Sequence, residues 1–175
     1  MKLDGKLATA KIDAPKEFSQ LAELHVAGLF ATAGWRVYFP HRDDGFDFIA
    51  TKPLGDDILI RPVQVKGKYP EDEKLDKQGY GYIGELSQTH PEMVLAIPYF
   101  ETGDIPILRH VAFMPRCMIR ATSRGWRCMP AKFVKGKAHP RGDHSKYFDH
   151  EGLLRLQNKA WCSDALADSF VEEDE

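Results

Sequence analysis

Residues 45–67, GFDFIATKPLGDDILIRPVQVKG, constrain the fold of this chain more than any other stretch. Residues 46–51 are dense in aromatic and β-branched side chains and read as a strand, and residues 58–66 read as a second. Between them, Lys-Pro-Leu-Gly-Asp-Asp carries the Pro, Gly and Asp of a chain reversal. Side chains alternate faces along a strand, so Gln64 and Lys66 share one face and Val63 and Val65 the other. Asp47 lies between Phe46 and Phe48 and faces away from both. A carboxylate among large apolar residues is costly unless something pairs with it. In a hairpin Asp47 would meet Gln64 and Lys66, gathering a carboxylate, an amide and an ammonium around one point.

Upstream of this hairpin, residues 1–12 are polar and read as an arm or edge strand. Asp13 and Pro15 give a helix start, and Gly34 gives its stop near Ala33. Phe18, Leu21, Ala22, Val26, Leu29, Phe30 and Ala33 form one arc at helical spacing. Glu23 sits at the rim of that arc, positioned to face the sheet, whereas Glu17 falls toward solvent. Residues 35–39 alternate as a first strand. His41, Arg42, Asp43 and Asp44 make a polar loop; Asp43 and Asp44 rival Asp47 as the site acid, but a strand fixes a side chain's direction and a loop does not.

Downstream, residues 70–77 read as a charged loop. Gly79, Gly81 and Gly84 weaken any helix over 80–88, leaving a short helix or a flap; their G-x-G-x-x-G spacing lacks the strand-turn-helix unit of a dinucleotide site. Residues 93–100 and 105–113 are apolar runs suited to strands. Pro115 opens a short basic helix holding Arg116 and Arg120. Residues 121–148 read as irregular, and residues 152–170 as a final helix or helical turns before a frayed acidic tail.

With 175 residues the chain forms one domain, a core over about 13–120 and a basic extension over about 121–170. No apolar run approaches a membrane span, and the first fourteen residues hold no apolar leader, so the expectation is a cytoplasmic protein without membrane contact. Cys117, Cys128 and Cys162 lack CxxC spacing and read as free thiols. Net charge is −2, yet residues 109–146 hold ten Lys or Arg against one acid, Asp143. Such a patch in a nearly neutral chain points to a polyanion partner. Trp126, Phe133 and Tyr147 lie among these cations, where aromatics stack on bases or anchor loops to a core. His139, His144 and His150 with Cys128 allow a zinc reading, against which their irregular spacing counts.

An acid on one strand followed by Gln-x-Lys on the next resembles the PD-(D/E)XK nuclease superfamily in its Gln-x-Lys form. Asp47 matches the acid, and Gln64-Val65-Lys66 the second motif, over roughly the first two-thirds of the chain. The resemblance implies an α/β (α+β) restriction-endonuclease-like core of order αβββαβ, with a central mixed sheet flanked by helices, as in Holliday-junction-resolvase-like proteins. It implies an acid on the first helix about eleven residues before a glycine, which Glu23 and Gly34 fit. It also implies a Mg²⁺ or Mn²⁺ site of Asp47, the Gln64 amide oxygen, the Val65 carbonyl and Glu23, and a Lys66 that faces the scissile phosphate or the attacking water. DNA is the implied substrate, contacted by Arg42, Lys68, Arg116, Arg120, Arg124 and Arg127. Nucleases of this type commonly pair two active sites, making a homodimer an expectation. Gln64 in place of the commoner glutamate removes one negative charge, which predicts weaker metal binding or a lineage without catalysis. A nucleic-acid-binding module on an inactive nuclease fold, and a zinc-binding or protein-interaction domain, are the alternative readings.

Overall fold

The computed structural model describes residues 14–42, 45–69, 82–84, 86, 89–101 and 106–163. The first helix, α1, spans Ala14–Thr32. Its end follows from Gly34, whose φ of 81° suits glycine. Gly34 N–H donates to the Ala31 carbonyl at 3.0 Å and Trp35 N–H to that of Phe30 at 3.0 Å, the paired bonds that close a helix on a left-handed residue. The Phe30 and Trp35 rings pack edge to face across the closure. Lys52 Nζ donates to the Ala33 carbonyl at 2.8 Å, setting a cation at the negative end of the helix.

Five strands build the main sheet: β1 (Arg36–Tyr38), β2 (Phe48–Leu54), β3 (Asp57–Val65), β5 (Val94–Glu101) and β6 (Ile107–Pro115). Their order is β1-β2-β3-β5-β6, antiparallel except for the β3–β5 pair, so the fold is α+β around a mixed sheet. The expected reversal over residues 52–57 is narrower than its composition suggests. Pairing continues to Leu54 opposite Asp57, and only Gly55 and Asp56 turn the chain, with Gly55 at φ 62°.

One face of the sheet presents Phe48, Val63, Val65, Val94, Ala96 and Phe113 to the buried face of α1, where Ala22, Val26 and Phe30 meet them. The short helix α2 (Asp149–Arg155) covers the β6 end of this face through Leu153. It starts before the helix or helical turns expected over 152–170; residues 161–163 are helical again, and residues past 163 lie outside the described part. The opposite face presents Leu95, Ile97, Tyr99, Ala112 and Met114 to a second core. Every residue of β5 from Val94 to Phe100 is buried, as a central strand covered on both faces requires.

The second core corrects the reading of residues 121–148 as irregular. A 3-10 turn at Arg116–Met118 leads into β7 (Arg120–Thr122) and β8 (Gly125–Arg127), which form a three-stranded sheet with β4 (Tyr82–Gly84). Arg120 therefore lies on a strand and not on a basic helix with Arg116, and residues 82–84 form a strand where a helix or flap was expected. β9 (Ala131–Val134) and β10 (Lys137–Pro140) form a hairpin around Lys135 and Gly136, both at positive φ. These strands are short because burial holds them: Ala131 and Phe133 turn into the second core while Lys132 and Val134 turn out. A second 3-10 turn, Gly142–Tyr147, precedes α2. Residues 1–13, the charged loop expected over 70–77 and the acidic tail lie outside the described part. No described helix is long and apolar enough to cross a membrane.

Candidate active site where two strands part

The candidate residues meet at the C-terminal end of β3. Phe48 opposite Val63 is the last cross-strand pair of β2 and β3. Continuing that register would set Asp47 opposite Gln64. Asp47 N–H donates to the Val63 carbonyl at 2.9 Å, and beyond this bond the two backbones part. The next donor on this edge of β3, the Val65 N–H, is received by Asp47 Oδ2. Gln64 Nε2 donates to the same oxygen at 2.9 Å. A carboxylate thus closes the gap that backbone pairing leaves.

A residue's N–H and C=O leave an extended strand on the same edge, so the Val65 carbonyl faces the gap that holds Asp47. Gln64 is 7% exposed, its backbone beside Leu95 of β5. With its nitrogen donated to Asp47, the amide directs Oε1 elsewhere; a half-turn of the amide exchanges the two atoms at little steric cost.

Lys66 follows immediately. Its N–H donates to the Ala96 carbonyl at 2.9 Å, and Lys68 N–H donates to that of Pro98 at 2.8 Å. In a parallel ladder the Lys66 carbonyl would take the N–H of residue 98, but Pro98 has none. The proline loosens the ladder at this residue. The Lys66 side chain is half-buried, with no hydrogen-bond or ion-pair partner among the described residues.

Glu23 comes from the helical side of the sheet. Its neighbour Ala22 is fully buried against Gly67, where an added Cβ would lie 3.2 Å from the Ala22 Cβ and 2.9 Å from the Tyr69 ring. Glycine at this position favours the close approach of α1 to this end of β3. Glu23 is half-buried beside that contact. The structure therefore joins Asp47, Gln64 and Val65 by direct bonds, with Lys66 next along the strand and Glu23 beside the helix residue that packs on Gly67. The rival acids Asp43 and Asp44, and the side chain of Glu17, lie outside the described residues.

The donor set bears on the expected metal. Among the described residues, no group of three or more His, Cys, Asp or Glu is placed to hold an ion. This applies equally to the histidines and Cys128 of the zinc reading; Cys128 is 4% exposed, and burial pushes its thiol up to about 12. A Mg²⁺ ion needs less from a protein, because it keeps several waters and takes one or two carboxylates. Asp47 Oδ1, the Val65 carbonyl and Glu23 are chemically suited to that role.

The expected phosphate contacts divide into two groups. Arg120 and Arg127 lie directly opposite one another in the β7–β8 pair, both exposed, and Arg124 sits in the turn between them. Like charges facing across strands repel unless an anion lies between them. Arg116 is differently engaged: its guanidinium stacks over Trp126 at 4.6 Å and donates to the Ile119 carbonyl at 3.1 Å. Lys68 is half-buried where β3 meets β5, and Arg42 is exposed in its loop. Phe133 and Tyr147 are buried in the core.

Two features escaped the sequence. Arg61 is 2% exposed on the apolar face of β3, bonded to Glu92 and donating to the carbonyls of Leu156 (3.2 Å) and Asn158 (2.8 Å). Its place among Leu59, Val63 and Val65 in the alternation was the available signal. The second is a pair formed by His110 and Asp149, which no local pattern announces. No protein-family model matches the chain, and no curated protein does.

Proposed function

We propose that this protein is a Mg²⁺- or Mn²⁺-dependent nuclease that hydrolyses DNA phosphodiester bonds, as an endonuclease or resolvase-like enzyme on a restriction-endonuclease-like core. One observation carries the reading: the parting of β2 and β3 at Asp47, with Gln64 bonded to that acid and Lys66 two residues further on. Strand ends that diverge leave space for a phosphate, and these are the side chains that phosphodiester chemistry uses.

A bound divalent ion would supply Lewis acidity and a nucleophilic water. Asp47 supplies the anchoring charge, held in place by Val65 and Gln64. Glu23 adds a second carboxylate from α1. Lys66 is the cation at this strand end that would oppose charge growing on the phosphate. The paired Arg120 and Arg127 with Arg124 supply sequence-independent attraction to the backbone of DNA.

Incubation of the protein with linear, nicked and branched DNA in Mg²⁺ or Mn²⁺ tests the proposal. Cleavage that disappears in Lys66→Ala supports it; no cleavage of any form, or cleavage unchanged in Lys66→Ala, rejects it. A second reading, a non-catalytic DNA-binding module, is favoured by the engagement of Asp47 Oδ2 with two N–H donors. It predicts salt-sensitive DNA binding without cleavage in either metal.

A further inference from the structure

Away from the strand ends, a cavity of about 380 Å³ opens between the last turns of α1, the middle of β6 and the start of α2. Its walls are apolar: Leu29, Leu108, Val111, Phe113 and Leu153. Its polar side chains among the described residues are Thr32, Arg109, His110, Asp149 and His150. The volume lies within the range of small-molecule sites, and apolar walls with a few convergent polar groups are their usual composition.

Two of the polar groups, His110 and Asp149, are held in place. Asp149 Oδ1 accepts the Val111 N–H at 2.8 Å, and Oδ2 faces His110 Nδ1 at 2.7 Å. Asp149 reaches this position at φ 52°, a conformation that costs a non-glycine residue energy. The His110 ring also packs edge to face on Phe148. With Nδ1 taken by the carboxylate, Nε2 is the nitrogen left for a ligand. Arg109 is exposed and only loosely opposed by Glu101, at 3.7 Å. One guanidinium and two imidazoles thus border a cavity whose one carboxylate among the described residues is already engaged.

We propose that this cavity is a second site, which binds a small amphipathic organic anion, its apolar body between α1 and β6 and its carboxylate, sulfonate or phosphate head on Arg109, His110 Nε2 and His150. The site is separate in the fold from Asp47 and Lys66, and its occupancy does not depend on the nuclease reading.

Fluorescence titration of the full chain tests this with 8-anilinonaphthalene-1-sulfonate and its uncharged counterpart N-phenyl-1-naphthylamine. The sulfonate should bind saturably at one site per chain. Arg109→Ala should weaken it by about tenfold, as expected for removal of one charge-assisted bond, and leave the neutral dye unchanged. Thr32→Trp, an exposed α1 position on the cavity wall, should block both dyes with the thermal transition unmoved. His150→Trp, on exposed α2 surface, serves as the blocking variant if Thr32→Trp does not fold. Absence of saturable binding overturns the proposal, as does binding that survives the blocking variant. Equal weakening of both dyes by Arg109→Ala overturns the assignment of the anionic head.

Discussion

Asp47 accepts a hydrogen bond from the backbone N–H of Val65, across a gap where the β2 and β3 backbones no longer pair. The proposed metal ligand is also the acceptor that satisfies a buried strand edge. Asp47→Ala leaves that donor without a partner and should cost about 1–3 kcal/mol. For a chain of this size that is a fall in Tm of about 2–4 °C per kcal/mol. Asp47→Asn keeps an oxygen for Val65 and removes only the charge. It should melt close to the parent and still lose metal-dependent cleavage, measured by calorimetry and DNA digestion side by side. An Asn variant with undiminished cleavage would falsify the assignment of Asp47.

Gln64 donates to Asp47, so Gln64→Glu sets two carboxylates together. Without metal the variant should be less stable than the parent. With Mg²⁺ it should recover, and cleavage should need less metal. At an effective dielectric of about 20, a charge 4 Å from another interacts by roughly 4 kcal/mol before desolvation is subtracted. Gln64→Ala removes the amide and should need more metal. Identical metal curves for the three proteins would show that position 64 does not act on the ion.

Arg120 and Arg127 face each other without a paired acid between them in the strand register. Replacing Arg120, Arg124 and Arg127 by Gln should flatten the dependence of DNA affinity on salt, by a slope of about 0.9 for each duplex phosphate that the variant no longer neutralises. Arg120→Gln alone should leave the protein as stable or slightly more so at low salt, because it relieves a like-charge pair worth a few tenths of a kcal/mol to about 1 kcal/mol. A triple variant with the parental slope would move the DNA face to another part of the surface.

Arg61 ties the segment after α2 to the sheet through two carbonyls, with its guanidinium over the Trp161 ring at 5.5 Å. Arg61→Met fits the volume but leaves those carbonyls without a donor. It should cost about 2–4 kcal/mol, seen in urea midpoints. A midpoint unchanged from the parent would mean that water replaces the guanidinium at both carbonyls.

Burial pushes the Cys128 thiol and the Tyr69 hydroxyl each up to about 12. The unfolded chain ionises these groups at lower pH than the folded one. Their contribution is therefore complete below about pH 9 and is lost as pH rises toward about 12. Stability measured by urea should fall over that interval, and less steeply in Cys128→Ala. Equal slopes in the two proteins would remove Cys128 as a cause.

The helix stop at Gly34, the buried β5 strand and the Asp47–Gln64 meeting were legible because each rests on a local rule. A glycine ends a helix, an unbroken apolar run is covered on both faces, and alternation places side chains. The small strands at residues 120–140 were not legible, because three or four residues hold too little alternation to stand out among Lys, Gly and Pro. Tertiary packing decides them: Phe133 becomes a strand residue by resting on Tyr99. The role of Arg61 was not legible because the carbonyls it serves, those of Leu156 and Asn158, come from the far end of the chain. The Gln64 amide was expected as a metal ligand; the sequence could not show that its nitrogen, in this structure, points at Asp47.

The different reach of the two pairings that flank β3 sets an order on its assembly. β2 and β3 join through a two-residue turn, so that pairing closes almost no loop and forms fast. β3 and β5 join Val65 to Ala96 in parallel, across all of residues 66–95. The hairpin can therefore bring Asp47 against Gln64 before β5 arrives. In the native state Leu95 lies beside Gln64 and shields the carboxylate clasp from water. Substitutions at the Gly55 turn should then slow folding, whereas those in β5 should chiefly speed unfolding, so that the lifetime of the site is governed by a strand that contributes no side chain to it.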